Sequence, residues 1–236
     1  MSGVKRVEFM TVKDMILKAI IVLASLFSFV TNAQQNPPPH NPPYPLEWWA
    51  PVDEKTAESW EVLPQRAKYG EVILSKRTEL GILSNFAATS FVFKGKKYSS
   101  VEGFWQATKY PEDQNDARLQ DRRVKSGEIK WLYTRAEVEQ MTAFDAKRAG
   151  DAASENMKVL GINWVSFDGK KMIYKEMGNS DFYNLILLVM KAKLDQNPRV
   201  QKILSSTGDL ILRPDHAPGP IELKAWQYHD IWMSLR

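Results

Sequence analysis

The chain has 236 residues, 44% hydrophobic, 25% charged and 11% aromatic, which excludes a wholly disordered, collagen-like or polytopic membrane protein. It contains no cysteine and three histidines, His40, His216 and His229. A disulfide framework, a thiolate zinc site, a cysteine nucleophile and a lipoprotein anchor are therefore excluded, and a histidine-rich metal centre is not expected.

Residues Met15 to Ala33 read MILKAIIVLASLFSFVTNA, a lysine followed by an apolar run and the small residues Thr31 and Ala33. This is the layout of a secretory signal peptide, and the run is shorter than the roughly 20 apolar residues of a spanning helix. The expectation is a leader over residues 1–33, cleavage before Gln34, and a secreted or periplasmic product with no stable membrane association. Glu8 and Asp14 are unusual ahead of such a run, and Met15 is the more natural start. The leader carries four basic and two acidic residues, so its loss takes the formal charge from +4 to +2. Net charge then gives nucleic-acid binding no support.

Residues 34–51 read QQNPPPHNPPYPLEWWAP, a proline density that favours an extended linker. Trp48 and Trp49 at its end are costly to leave in water and are expected to dock. The compact domain is read over residues 57–236. Glu71–Lys76 and Ser90–Phe93 are read as strands, with Lys94-Gly95 as a turn and Lys97-Tyr98 as the return. Thr134 and Glu137 form a capping-box pattern ahead of Val138, Met141 and Phe144. A helix over Asp151–Leu160 stops at Gly161, another covers Asp181–Leu194, and Asn197-Pro198 separates it from a helix ending at Ser206. Leu210–Leu212 is the last strand. The fold class is α+β, a helix-rich single domain around a small β-sheet.

The segment richest in chemistry is Tyr98 to Lys109. A helix starting near Ser99 puts Val101, Phe104 and Thr108 on one face and Glu102, Gln106 and Lys109 on another, with Trp105 beside them. An indole that stacks, an acid, an amide and a cation then converge, a set suited to a sugar, a base and a phosphate. A second reading of the same residues makes Ser99 and Glu102 a capping box, with Glu102 serving the backbone.

The string SNF…F-x-F-x-G-x-x-Y-S-S-V-E-x-F-W-Q-A-x-K resembles the signature of the NADAR (YbiA-like) family. Trp131, Arg135, Met141 and Lys147 are similar to that family's W…R…M…K helix. Leu204-x-x-Thr207-Gly208-Asp209-x-x-Leu212 is similar to its L-x-x-T-G-D-x-x-L element, and Ile231 to Arg236 to its closing segment. The matches run in order from about Glu71 to Arg236. Two positions depart from the pattern: Gly103 stands where the family has histidine, and Arg213-Pro214-Asp215-His216 with Trp226-Gln227 replaces its second acid and Trp-Gly.

The resemblance implies a YbiA-like fold and a hydrolase that cleaves an N-glycosidic bond of a ribosyl phosphate or ADP-ribosyl compound, ADP-ribosylated nucleic acid included. The alternative is a non-catalytic ADP-ribose- or nucleotide-binding module. Glu102 is the expected catalytic carboxylate, with Asp209 or Asp215 as a second. Asn85, Phe86, Trp105, Gln106, Lys109, Gly208 and Trp226 are the expected substrate-binding residues. No metal and no cofactor is implied.

Overall fold

The computed structural model describes residues 44–217 and 223–236, so the leader and most of the proline-rich segment lie outside the described residues. The order of elements is β1 (Glu71–Ile73), β2 (Phe91–Phe93), β3 (Lys96–Tyr98), α1 (Val101–Ala107), α2 (Arg122–Lys125), α3 (Arg135–Glu139), α4 (Ala143–Leu160), β4 (Trp164–Phe167), β5 (Lys170–Ile173), α5 (Asp181–Gln196), α6 (Pro198–Ser206), β6 (Ile211–Arg213) and α7 (Tyr228–Leu235). Short 3-10 turns join several of them. The fold is α+β, with β1 pairing parallel to β6 and the hairpins β2–β3 and β4–β5 antiparallel. Among the described residues no helix is long and apolar enough to cross a membrane.

Local chemistry explains most boundaries. Lys94 and Gly95 both take positive φ (51° and 77°), the geometry of a tight two-residue hairpin turn between β2 and β3. Asp168 and Gly169 do the same between β4 and β5, at 54° and 73°. Gly161 ends α4 in the left-handed region at φ 69°. Pro198 supplies the first turn of α6, where its missing N–H costs nothing. The strand expected over Glu71–Lys76 stops at Ile73, because Ser75 N–H turns back to the Ile73 carbonyl.

Part of the segment read as a linker is packed: Trp48 and Trp49 are buried, their indole N–H groups donating to the Glu79 carboxylate and the Glu71 carbonyl, both at 3.0 Å. Residues Thr207, Gly208 and Asp209 are tied to this same region. Asp209 accepts a hydrogen bond from the Tyr44 hydroxyl, and Arg236 donates to Thr207 Oγ1 at 2.9 Å and the Leu210 carbonyl at 2.8 Å.

The core runs from Trp48 through Leu74, Phe104, Phe182, Val189 and Trp232. Through it passes Lys193, fully buried on α5, whose ammonium donates to the carbonyls of Ile82 at 2.8 Å and Ser84 at 2.9 Å. Burial alone pulls its pKa from 10.5 down to about 7. Between about pH 7 and the unfolded value near 10.5, the unfolded chain holds a proton at this site that the folded chain does not, so stability rises with pH across that window. Urea unfolding from pH 7 to 9.5 should show this upward slope, and Lys193→Met should flatten it; equal slopes would show that Lys193 titrates normally.

Candidate active site

Helix α1 is held at both ends. Its N-cap is Ser100, whose Oγ accepts from the Gly103 N–H at 2.8 Å and donates to the Met141 carbonyl at 2.9 Å. Past its other end, the carbonyl groups of Thr108 and Tyr110 are taken by Arg118 and Arg135, as expected for cations at a helix C-terminus. Arg135, which matched the motif read from sequence, therefore braces the scaffold. Its burial pulls the guanidinium down to about 10.

The N-cap at Ser100 corrects the capping-box reading of Ser99 and Glu102. Gly103 occupies the third helical position, and Glu102 makes no bond back to the cap. Its carboxylate instead accepts from Gln106 Nε2 at 2.7 Å, and the residue is only 8% exposed. Burial pushes the Glu102 carboxyl up from its ordinary range, against the opposing pull of Gln106 and Lys109. Lys109 lies on the same face and donates to the Gly150 carbonyl at 3.2 Å and Ser154 Oγ at 2.8 Å. Burial lowers it to about 8, with Glu102 opposing.

The expected continuous run from Val138 to Phe144 is broken: α3 ends at Glu139 and α4 begins at Ala143. The break is fixed by α1 and the loop before it, since Ser99 N–H donates to the Glu139 carbonyl and Ala143 N–H to the Phe86 carbonyl. It turns α4 so that Phe144, Lys147 and Asp151, spaced i, i+3 and i+7, face the same space as Glu102.

That space is a cavity of about 590 Å³. Its lining includes the expected Asn85, Phe86, Glu102, Trp105, Gln106, Lys109, Asp215 and Trp226. Asn85 Oδ1 and Gln106 Oε1 are buried and have no hydrogen-bond partner among the described residues. Two expected residues lie elsewhere. Asp209 and Gly208 do not line the cavity but belong to the turn after α6, against Tyr44, as their hydrogen bonding and the 50° φ of Gly208 show. The T-G-D element is thus a turn after α6, and Asp209 lies outside the cavity that holds Glu102.

Asp215 does reach the cavity, 1% exposed, with its carboxylate against Lys76 and 3.2 Å from His216 Nδ1. Burial alone would raise it, but His216 and Lys76 together hold it below the ordinary carboxylate range. Trp226 stands at the rim, 38% exposed, while Trp105 is packed edge-on to Phe182 with centroids 5.3 Å apart. The sequence reading missed Trp60, Lys76, Phe144, Asp151 and Tyr174 as lining residues. The Asp168-Gly169 turn could have flagged the hairpin that leads to Tyr174, and Gly150 inside a helix could have flagged a close approach. Among the described residues there is no cluster of three or more His, Asp or Glu placed to hold a metal ion.

Gly150 is that close approach. A Cβ there would lie 1.8 Å from Gln106 Oε1 and 2.1 Å from its Cδ. Gly150→Ala gains about 1 kcal/mol of helix propensity, yet it displaces the amide that holds Glu102. The expected outcome is a thermal midpoint within a few degrees of wild type with weakened ligand binding at the cavity. Unchanged binding would show that Gln106 does not position Glu102. Comparison with known proteins gave no match, whether to a family model, a curated protein or a solved structure.

Proposed function

We propose that the cavity binds N-ribosyl phosphates or ADP-ribosyl compounds and hydrolyses their N-glycosidic bond. The observation that carries this reading is a buried carboxylate, Glu102, beside a buried lysine, Lys109, with Asn85 and Gln106 lining the same cavity. Amide side chains hydrogen-bond sugar hydroxyls, and Lys109 supplies a point charge for a phosphate. The similarity of the Ser84-to-Lys109 motifs to the NADAR family supports the same chemistry.

In this mechanism Glu102 begins protonated, as its burial favours. It gives its proton to the departing nitrogen as the C1–N bond breaks, and its carboxylate then faces the oxocarbenium character on the ribose. Water adds to C1 and returns a proton to Glu102, leaving free base and ribose product. Asp215, held ionised by Lys76 and His216, takes no part in the proton transfer.

A binding module is the second reading, favoured by the ion pairs that engage the other two carboxylates lining the cavity, Asp215 with Lys76 and Asp151 with Lys147. Incubating the purified protein with NAD, ADP-ribose conjugates and ribosylamine phosphates separates the two. Release of base supports the hydrolase, binding without product supports the module, and no interaction with any of the three rejects both.

A further inference from the structure

Trp60 comes from the segment ahead of β1, outside the stretch that carries the motif matches, and it lines the cavity while 39% exposed. With Phe144 and Trp226 it leaves aromatic surface open around the cavity. Its backbone is fastened deliberately. Arg77 makes a bidentate pair with the neighbouring Glu61, at 2.6 and 2.7 Å, and donates to the Thr56 carbonyl at 2.8 Å. Val62 N–H donates to the Asp215 carbonyl at 2.8 Å, and Glu61 bridges to His216. These bonds fix the segment onto the strip that carries the Asp215 end of the cavity.

The indole meets Phe144 edge-on at 6.1 Å, and Phe144 meets Phe86 edge-on at 5.2 Å. Lys76 Nζ lies 5.3 Å from the Trp60 ring and 5.2 Å from the Phe86 ring. The cation position of this aromatic group is therefore already filled from within the chain, which disfavours a cationic ligand. Phe144, 46% exposed, keeps open aromatic surface beside Trp60. Phe144 precedes Gly150, the contact point of Gln106 and Lys109, by six residues of α4, or about 9 Å along the helix. The aromatic group and the polar group line one cavity.

From this juxtaposition we infer that Trp60, with Phe144 and Phe86, forms a subsite for a planar heteroaromatic base, so that the ligand is a nucleotide with its base intact rather than a bare sugar phosphate. The inference rests on the ribosyl reading above and adds what holds the face of the base whose departing nitrogen that reading places at Glu102. Stacking of a base on an aromatic side chain is sequence-tolerant, so the subsite selects planarity and not one particular base.

Calorimetric titration of the full chain with AMP and with ribose 5-phosphate tests it. Trp60→Ala is expected to weaken AMP roughly 5- to 100-fold while leaving ribose 5-phosphate unchanged, and Trp60→Phe to retain AMP within about threefold of wild type. An unchanged AMP affinity in Trp60→Ala, or equal losses for both probes, overturns the subsite while leaving the ribosyl reading intact. Equal losses in the Ala and Phe variants would signal disturbed packing and also overturn it. Failure of the wild-type chain to bind either probe overturns the ribosyl reading and the subsite together.

Discussion

Glu102→Gln is expected to lower turnover of an N-ribosyl substrate by about 100- to 10,000-fold while the protein stays folded. The amide has the size of the acid and can still accept the hydrogen bond from Gln106 Nε2, so the 2.7 Å contact survives. It neither delivers a proton to a leaving nitrogen nor carries charge beside an oxocarbenium ion, and those are the two roles assigned to Glu102. Stability should hold or rise slightly, because a buried ionisable group is exchanged for a neutral one whose bond is kept. Steady-state kinetics and thermal unfolding on the same sample read both effects. Retention of more than about a tenth of the wild-type rate would remove Glu102 from the chemistry.

Gly103→Ala is expected to destabilise the domain by about 3 kcal/mol, the upper end of ordinary overpacking. Two effects compete. Alanine is the better helix former by about 1 kcal/mol. Against this, its Cβ would sit 2.4 Å from the Met141 carbonyl oxygen and 2.9 Å from that of Val138. Both obstacles are backbone atoms at the break between α3 and α4, and the same Met141 carbonyl is bonded by Ser100. The helix must move away from the break, which strains the cap at its start. Packing should win, and Gly103→His should be worse. A denaturant midpoint equal to or above wild type would show that α1 has room to shift. The glycine where the NADAR pattern has histidine thus belongs to the seat of α1 on the α3–α4 junction.

The helix carrying Glu102 and Gln106, with Lys109 just past its end, was legible because polar residues at i, i+4 and i+7 cannot be explained as an apolar core face. Turns at Lys94-Gly95 and Gly161, and the break at Asn197-Pro198, were legible because each needs a backbone conformation that few residue types supply. The break at residues 140–142 was not, since it is dictated by hydrogen bonds from Ser99, Ser100 and α4 to distant partners rather than by any local residue. Asp209 misled because an aspartate after glycine reads the same whether it lines a site or closes a turn. The difference is made by Tyr44, 165 positions away in sequence. Trp60 escaped notice for a similar reason: the pairing of Glu61 with Arg77 and of Val62 with Asp215 brings its segment to the cavity.

The claim that the Glu102 cavity hydrolyses an N-ribosyl bond is tested most directly by quantifying both products by mass spectrometry over the course of the reaction. The expected result is free base and ribose product in equal amounts, with both formed at least about 100-fold more slowly by Glu102→Gln. Base release without a matching amount of ribose product, or equal release by the Glu102→Gln protein, would contradict it.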